Sequence, residues 1–275
     1  MLAKALTIAG FDASGGAGIQ ADLKTFSALG CYGMSVLTAL PIQNTCGVSN
    51  CYSIPLTAIE EQLDSIFSDI TPDVIKIGML FNSEIVNLVA QYLKQNVKGI
   101  PVVVDPVMVA KSGDMLLLSE AVNTLKEKIL PLATVVTPNI DEAEVLVGHK
   151  INTQAAMLDA AREILETGVE AVFLKGGHME GDMCQDLLFT EDKYQWFISK
   201  RIKSKNTHGT GCTLSAAIAS GLAQGDSLIT SCSNAKEYIT QAILSFQYEE
   251  IGKGHGPVNH FHAIWKQNLA EKVAI

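Results

Sequence analysis

What the chain lacks narrows its function before any motif is read. The six cysteines stand at 31, 46, 51, 184, 212 and 232 with no CxxC pair, and no His/Cys cluster has zinc spacing. Scattered thiols of this kind predict reduced cysteines in a cytoplasmic protein. No apolar run approaches the roughly 18 residues of a membrane span, and the run ending at Ile8 is too short for a signal peptide and flows into a strand pattern. Basic residues are scarce, with 20 Lys and Arg against 29 Asp and Glu, and the net charge of -9 excludes a nucleic-acid or anionic-membrane surface. Any bound anion must then be held locally, by loops and single lysines. There is also no GxxxxGK followed by Ser or Thr, so a nucleotide would not sit in a P-loop. The absence of a Pro/Ser-rich linker, a charge block or a fixed-period repeat makes residues 1–275 a single domain.

What is present is a globular composition, 48% apolar and 18% charged, in a chain long enough for a large core. Short apolar runs at 6–9, 34–40, 74–77 and 171–175 read as strands, as do 102–106, which ends in a carboxylate, and 135–139, which ends in polar groups, with a weaker polar strand ending near 54. Between them Ile19, Leu23, Phe26 and Leu29 keep helical spacing, Ile59, Leu63, Ile66 and Phe67 follow Pro55, and Asn82 caps a helix carrying Ile85, Val89 and Leu93. A helix over 153–166 and a long one after Asp226 complete the pattern, and short β runs over 184–198 predict an antiparallel edge. Apolar strands alternating with amphipathic helices specify an α/β fold, a doubly wound, mostly parallel sheet with helices on both faces. Ligands of such sheets bind outside the carboxyl ends of the strands. Gly10, Asp105, Asn139 and Lys175 all fall there.

The stretch over 206–215, Asn-Thr-His-Gly-Thr-Gly-Cys-Thr-Leu-Ser, organises the rest. Gly209 and Gly211 remove side chains where a backbone must approach something closely, and Leu214, Ala217, Ile218, Gly221 and Leu222 then trace one face of a helix that stops at Gly225. The unpartnered first N–H groups of a helix, with its dipole, favour an anion. Cys212 lies on the same turn, where a helix N-terminus lowers a thiol below its free pKa of about 8.5 and makes a usable base. The alternative is a small residue packed on a tight turn. Phosphoryl transfer without a P-loop needs an anion cradle, cations and a base for the attacking hydroxyl. Gly209-Thr210-Gly211, Lys175 and Cys212 supply candidates, and Asp105, Asn139 and Glu142 offer oxygens for a water-shelled Mg²⁺. A rival class is raised by Gly16-x-Gly18-x-x-Ala21, which imitates a dinucleotide fingerprint. The acid expected about 20 residues further on to hold the ribose is missing, since after Asp22 the next carboxylate is Glu60. His260 and His262 lack a third ligand for a metal.

Gly209-Thr210-Gly211-Cys212, preceded by Lys205-Asn206-Thr207-His208, resembles the anion-hole motif of the ribokinase-like kinases. With cysteine in last place, and with the stretches 8–22, 43–48, 105–113, 137–143 and 174–178, the chain is similar to the hydroxymethylpyrimidine and phosphomethylpyrimidine kinases of thiamine biosynthesis. The resemblance implies ATP and Mg²⁺ as cofactors, a pyrimidine pocket at Gly10, Asp22, Gln43, Met79 and Val107, and Cys212 as the base with the 209–212 amides on the phosphoryl group. It implies further that Asn139, Glu142 and Lys236 serve the nucleotide, that Asp105 and Glu142 serve the metal, and that the chain is a homodimer phosphorylating both the alcohol and its monophosphate. A pyridoxal kinase of the same fold is the alternative within the resemblance.

Overall fold

In the computed structural model, residues 1–108, 119–177 and 181–265 are described, so Val109 to Gly113 and His178 of the motifs above lie outside the described residues. The chain opens with β1 (Lys4–Ala9), α1 (Gly18–Ala28) and β2 (Tyr32–Leu37), followed by a two-stranded hairpin, β3 (Ala39–Asn44) and β4 (Gly47–Ser53). Next come α2 (Leu56–Phe67), β5 (Val74–Ile77), α3 (Ser83–Asn96), β6 (Val102–Val104), α4 (Ser119–Lys128) and β7 (Val135–Val136). The rest is α5 (Ile140–Val147), α6 (Gln154–Leu165), β8 (Ala171–Leu174), β9 (Met183–Thr190), β10 (Tyr194–Lys200), α7 (Thr210–Ala223) and α8 (Leu228–Ser245).

Eight strands form one sheet in the order β10-β9-β8-β7-β6-β5-β1-β2, parallel except for β9 and β10. Every residue of β5, β6, β7 and β8 is buried, because helices cover both faces and leave no side of the strand for water. On one face Leu6, Ile8, Ile75 and Ile77 meet Ile59, Ile85, Val89 and Met157 from α2, α3 and α6. On the other, Ala5, Val74, Val103 and Phe173 meet Phe26, Ile218 and Ile239 from α1, α7 and α8. The strand order reverses between β1 and β5, and a ligand crevice opens at such a reversal.

Two expectations are corrected. Residues 34–40 do not make one strand: Thr38 donates its N–H to Ala9 O (3.0 Å) and its Oγ1 to Met79 O (2.6 Å), which turns the chain out of the sheet and into the β3–β4 hairpin. The α7 helix does not bury one stripe but every residue from Thr213 to Gly221, since it is wedged between the sheet, α1 and α8.

Candidate active site

The carboxyl ends of β1, β5, β6, β7 and β8 and the start of α7 surround a cavity of about 730 Å³. Gly10, Gln43, Met79, Val107, Asp105, Asn139, Glu142, Lys175 and the whole of 209–212 line it. Close approach explains the glycines. Gly209 takes φ +75°, and a Cβ there would lie 1.8 Å from Gly16 O. A Cβ on Gly211 would reach 3.1 Å from Lys175 Nζ and 3.4 Å from Asp105 Oδ2. Gly209 is the N-cap of α7 and no side chain caps the helix; Thr210 N–H donates to Thr207 O at 3.4 Å, while Gly211 and Cys212, the next residues of the first turn, line the cavity edge where an anion would meet their amides.

Charge is concentrated opposite those amides. Lys175 Nζ sits 2.9 Å from Asp105 Oδ1 and 3.9 Å from Glu142 Oε2, and Thr137 Oγ1 donates to Asp105 at 3.2 Å. Burial works to discharge Lys175, but the two carboxylates raise its pKa and keep the ammonium. Asn139 and Glu142 form a capping box on α5, Asn139 N–H donating to Glu142 Oε2 and Glu142 N–H to Asn139 Oδ1, both at 2.8 Å. Burial pushes Glu142 up to about 7, against the pull of Lys175 and with Asp105 adding to the rise. Among the described residues no three His, Cys, Asp or Glu side chains group as a metal cage. Asp105 and Glu142 are carboxylates of the cavity wall that could hold a Mg²⁺, an ion that needs only one or two carboxylates and takes the rest of its shell from phosphate and water.

Two site expectations change. Asp22 does not line the cavity; it is fully buried beneath it, accepting from Thr7 Oγ1 (2.6 Å) and Lys76 Nζ (2.9 Å) on the same oxygen. Cys212 is not lowered by the helix N-terminus. Burial pushes its thiol up to about 12, which the nearby Lys76 and the Gly18 amide oppose and Asp105 and Asp22 reinforce. A thiolate there is a strong base but a scarce one. Lys236 stands apart, in an adjoining recess of about 230 Å³ whose rim shares Asn139, Lys175, Thr207, Thr210 and Gly211 with the first cavity. Its ammonium is held 2.7 Å from Asp186 Oδ2, while Asp186 Oδ1 accepts from Gly176 N–H at 2.8 Å.

Sequence reasoning assigned no role to three residues that organise the site. Asp12 accepts from Ser14 N–H and Oγ, from the Gly16 and Ala17 amides, and from His208 Nε2 at 2.8 Å, knotting the first loop to the turn before α7. Burial would raise Asp12, but His208, Ser14 and Ala17 hold it well below the usual carboxylate range. Lys76 lines the cavity although it belongs to a fully buried strand. A lysine inside a continuous apolar run was the available signal.

A helix-start cradle, a half-buried cation beside it and a thiol on the same turn, at the joint of two recesses, are the equipment of phosphoryl transfer between two substrates. Comparison with known proteins agrees. The chain is 50% identical to the hydroxymethylpyrimidine/phosphomethylpyrimidine kinase of Rhizobium meliloti over 97% of its length and 100% of that protein. It is 52% identical over 94% of its length to the thiamine biosynthesis bifunctional protein ThiED of Geobacter sulfurreducens, of which it spans about half (52%). In three dimensions it resembles the ADP complex of Bacillus subtilis pyridoxal kinase with a TM-score of 0.88 and 38% identity, covering 96% of this chain and 99% of that one. The family model described as phosphomethylpyrimidine kinase matches residues 12–259, and the chain belongs to that family of kinases.

Proposed function

We propose that this chain moves the γ-phosphoryl group of ATP to the hydroxymethyl oxygen of 4-amino-5-hydroxymethyl-2-methylpyrimidine, and in a second round to the resulting monophosphate, in thiamine biosynthesis. The observation that carries the reading is the meeting of two recesses at the start of α7, the larger running past Gln43 and Met79 to Asp105 and Lys175, the other beside Lys236. Gln43 carries both an amide donor and an acceptor for ring nitrogen and amine, and its Nε2 is steadied on Phe11 O at 3.2 Å. Gly10 leaves room for the Met79 side chain in the cavity wall, since a Cβ there would lie 3.0 Å from Met79 Sδ. Val107 and Met79 cover the ring, and the substrate hydroxyl is directed at Cys212, which takes its proton.

The amides of 209–212 hold the group in transit, and Lys175 offsets its charge. Asn139, Glu142 and Lys236 hold the nucleotide side, with Asp105 and Glu142 as carboxylates for Mg²⁺, an ion that neutralises phosphate charge when bound. A single domain over 1–275 acting as a cytoplasmic homodimer belongs to the same reading. Six free cysteines support the reducing compartment, and a β3–β4 hairpin with exposed Ile42 and Tyr52 supports a partner there. Among the described residues no helix is long and apolar enough to cross a membrane.

Pyridoxal, an aromatic ring of similar size with a hydroxymethyl arm, is the second candidate because of the fold shared with the Bacillus subtilis enzyme. Turnover of the hydroxymethylpyrimidine and of pyridoxal with ATP separates the two. Higher kcat/KM on the pyrimidine, with release of both mono- and diphosphate, is the expected result, and higher kcat/KM on pyridoxal overturns it.

A further inference from the structure

We propose that Lys76 is a positioning residue for Cys212: its buried ammonium supplies the counter-charge of the Cys212 thiolate, and Asp22 and Thr7 hold it in place beneath the substrate cavity. This rests on Cys212 being the proton acceptor in the reading above.

A lysine with no exposed surface in the middle of β5 needs an explanation, because desolvating an ion pair offsets most of its attraction and an apolar residue would serve the core at least as well. Its neighbours show what it is placed for. The ammonium lies on the sheet face covered by α7 and reaches the cavity wall near the strand end, where a Cβ on Gly78 would approach Nζ to 2.9 Å. It is anchored through Asp22 Oδ2, which also accepts from Thr7, while Asp22 Oδ1 has no hydrogen-bond partner among the described residues. The anchoring is therefore lopsided, one carboxylate oxygen taking both donors, while Lys76 and Cys212 line the wall of the same cavity.

The charges around the sulfur are few. Lys76 and the Gly18 amide favour the charged form of Cys212, Asp105 and Asp22 oppose it, and Lys175, which lines the same cavity, also interacts with it. Lys175 is already engaged by Asp105 and Glu142, whereas among the described residues Lys76 has Asp22 as its one ion-pair partner. Burial works to discharge Lys76, but Asp22, Cys212 and Asp105 keep it protonated. In the reaction the proton leaves the substrate hydroxyl for Cys212 Sγ, which neutralises the thiolate; the oxygen bonds to the γ-phosphorus as the bond from that phosphorus to the β,γ-bridging oxygen breaks, ADP leaves with the electron pair, and Lys76 keeps its own proton throughout.

The test reads Cys212 itself. Full-length protein is treated with iodoacetamide across pH 6–10 as a set scale, and labelling of Cys212 is followed by peptide mass for the native chain, K76M and D22N, with melting temperature measured alongside. Buried Cys31 and Cys232 report any general opening. K76M is expected to slow Cys212 labelling by about tenfold, the equivalent of one pKa unit. D22N removes an anion that faces the sulfur but keeps an oxygen for Thr7 and Lys76, its amide nitrogen falling where Oδ1 had no partner, so it is expected to speed labelling.

A purely structural role would move both variants in the same direction, and that result, or an unchanged profile in K76M, overturns the proposal. If K76M does not fold, D22N decides alone, and slower or unchanged labelling in it is the contrary outcome. Failure of the functional reading looks different: C212A would then turn over normally while the opposed labelling shifts persisted.

Discussion

Replacing Gly209 with alanine tests how the cradle is held. The backbone there is left-handed, φ +75°, and the new Cβ would fall 1.8 Å from Gly16 O, a distance that only a backbone shift relieves. A non-glycine residue in that conformation costs about 1–2 kcal/mol, and prising apart two packed loops costs about 1–3 kcal/mol more. Together these give roughly 2–5 kcal/mol, which for a chain of this size is a fall of about 5–15 °C in melting temperature. The shift also displaces the amides that open α7, and a displacement on the order of 1 Å in a phosphoryl site lowers turnover by about 10²-fold. Gly225 is the control: its φ is +89°, yet nothing lies within 4 Å of a Cβ built on it. Gly225→Ala should show only the conformational cost, about 1–2 kcal/mol, with turnover unchanged. Calorimetry and ATP-coupled kinetics on both variants decide the matter. Equal losses in the two would refute the argument that contact between the 10–17 loop and α7 sets the geometry.

Further outcomes follow from the two charge clusters. Lys175→Met strands Asp105, which is 2% exposed, and should lower stability by about 3–5 kcal/mol, while K175M/D105L recovers most of the loss without recovering activity; a double variant no more stable than the single would contradict a coupled pair. Asp12 gives a pH signature. Its carboxyl is held below the ordinary value of 3.8, so below that pH the unfolded chain binds more protons than the folded one. The stability that Asp12 contributes is complete above pH 3.8 and drains away as pH falls through the lowered folded value. The melting-temperature gap between native protein and D12N should therefore narrow between pH 5 and pH 2.5 as set conditions, and a gap constant over that range would count against the Asp12–His208 knot.

How much of this was legible in the sequence depended on whether a signal was local. Apolar strands such as Val102–Val104, and caps such as Asn82, which accepts from Ile85 N–H at 3.0 Å, state their own structure. So did the carboxyl-edge positions of Asp105, Asn139 and Lys175, because strand direction alone places them. The break at Thr38 was not legible, since it depends on carbonyls of Ala9 and Met79 that are distant in sequence. The α4 helix escaped notice because its ten residues are largely polar. Asp22 was placed in the pocket by resemblance and belongs under it, where Lys76 draws it. The direction in which Cys212 is shifted escaped for a related reason: a helix N-terminus is visible in a sequence, but the desolvation that pushes the thiol up, and the Asp105 and Asp22 carboxylates that add to it, are not.

The central claim, that Cys212 accepts the proton of the attacking hydroxyl, is tested most directly by single-turnover kinetics of C212A and C212D with ATP and the hydroxymethylpyrimidine. The account predicts a loss of about 10²- to 10⁴-fold in C212A at unchanged melting temperature, with measurable recovery in C212D, where a carboxylate replaces the thiolate. Native rates in C212A would contradict it.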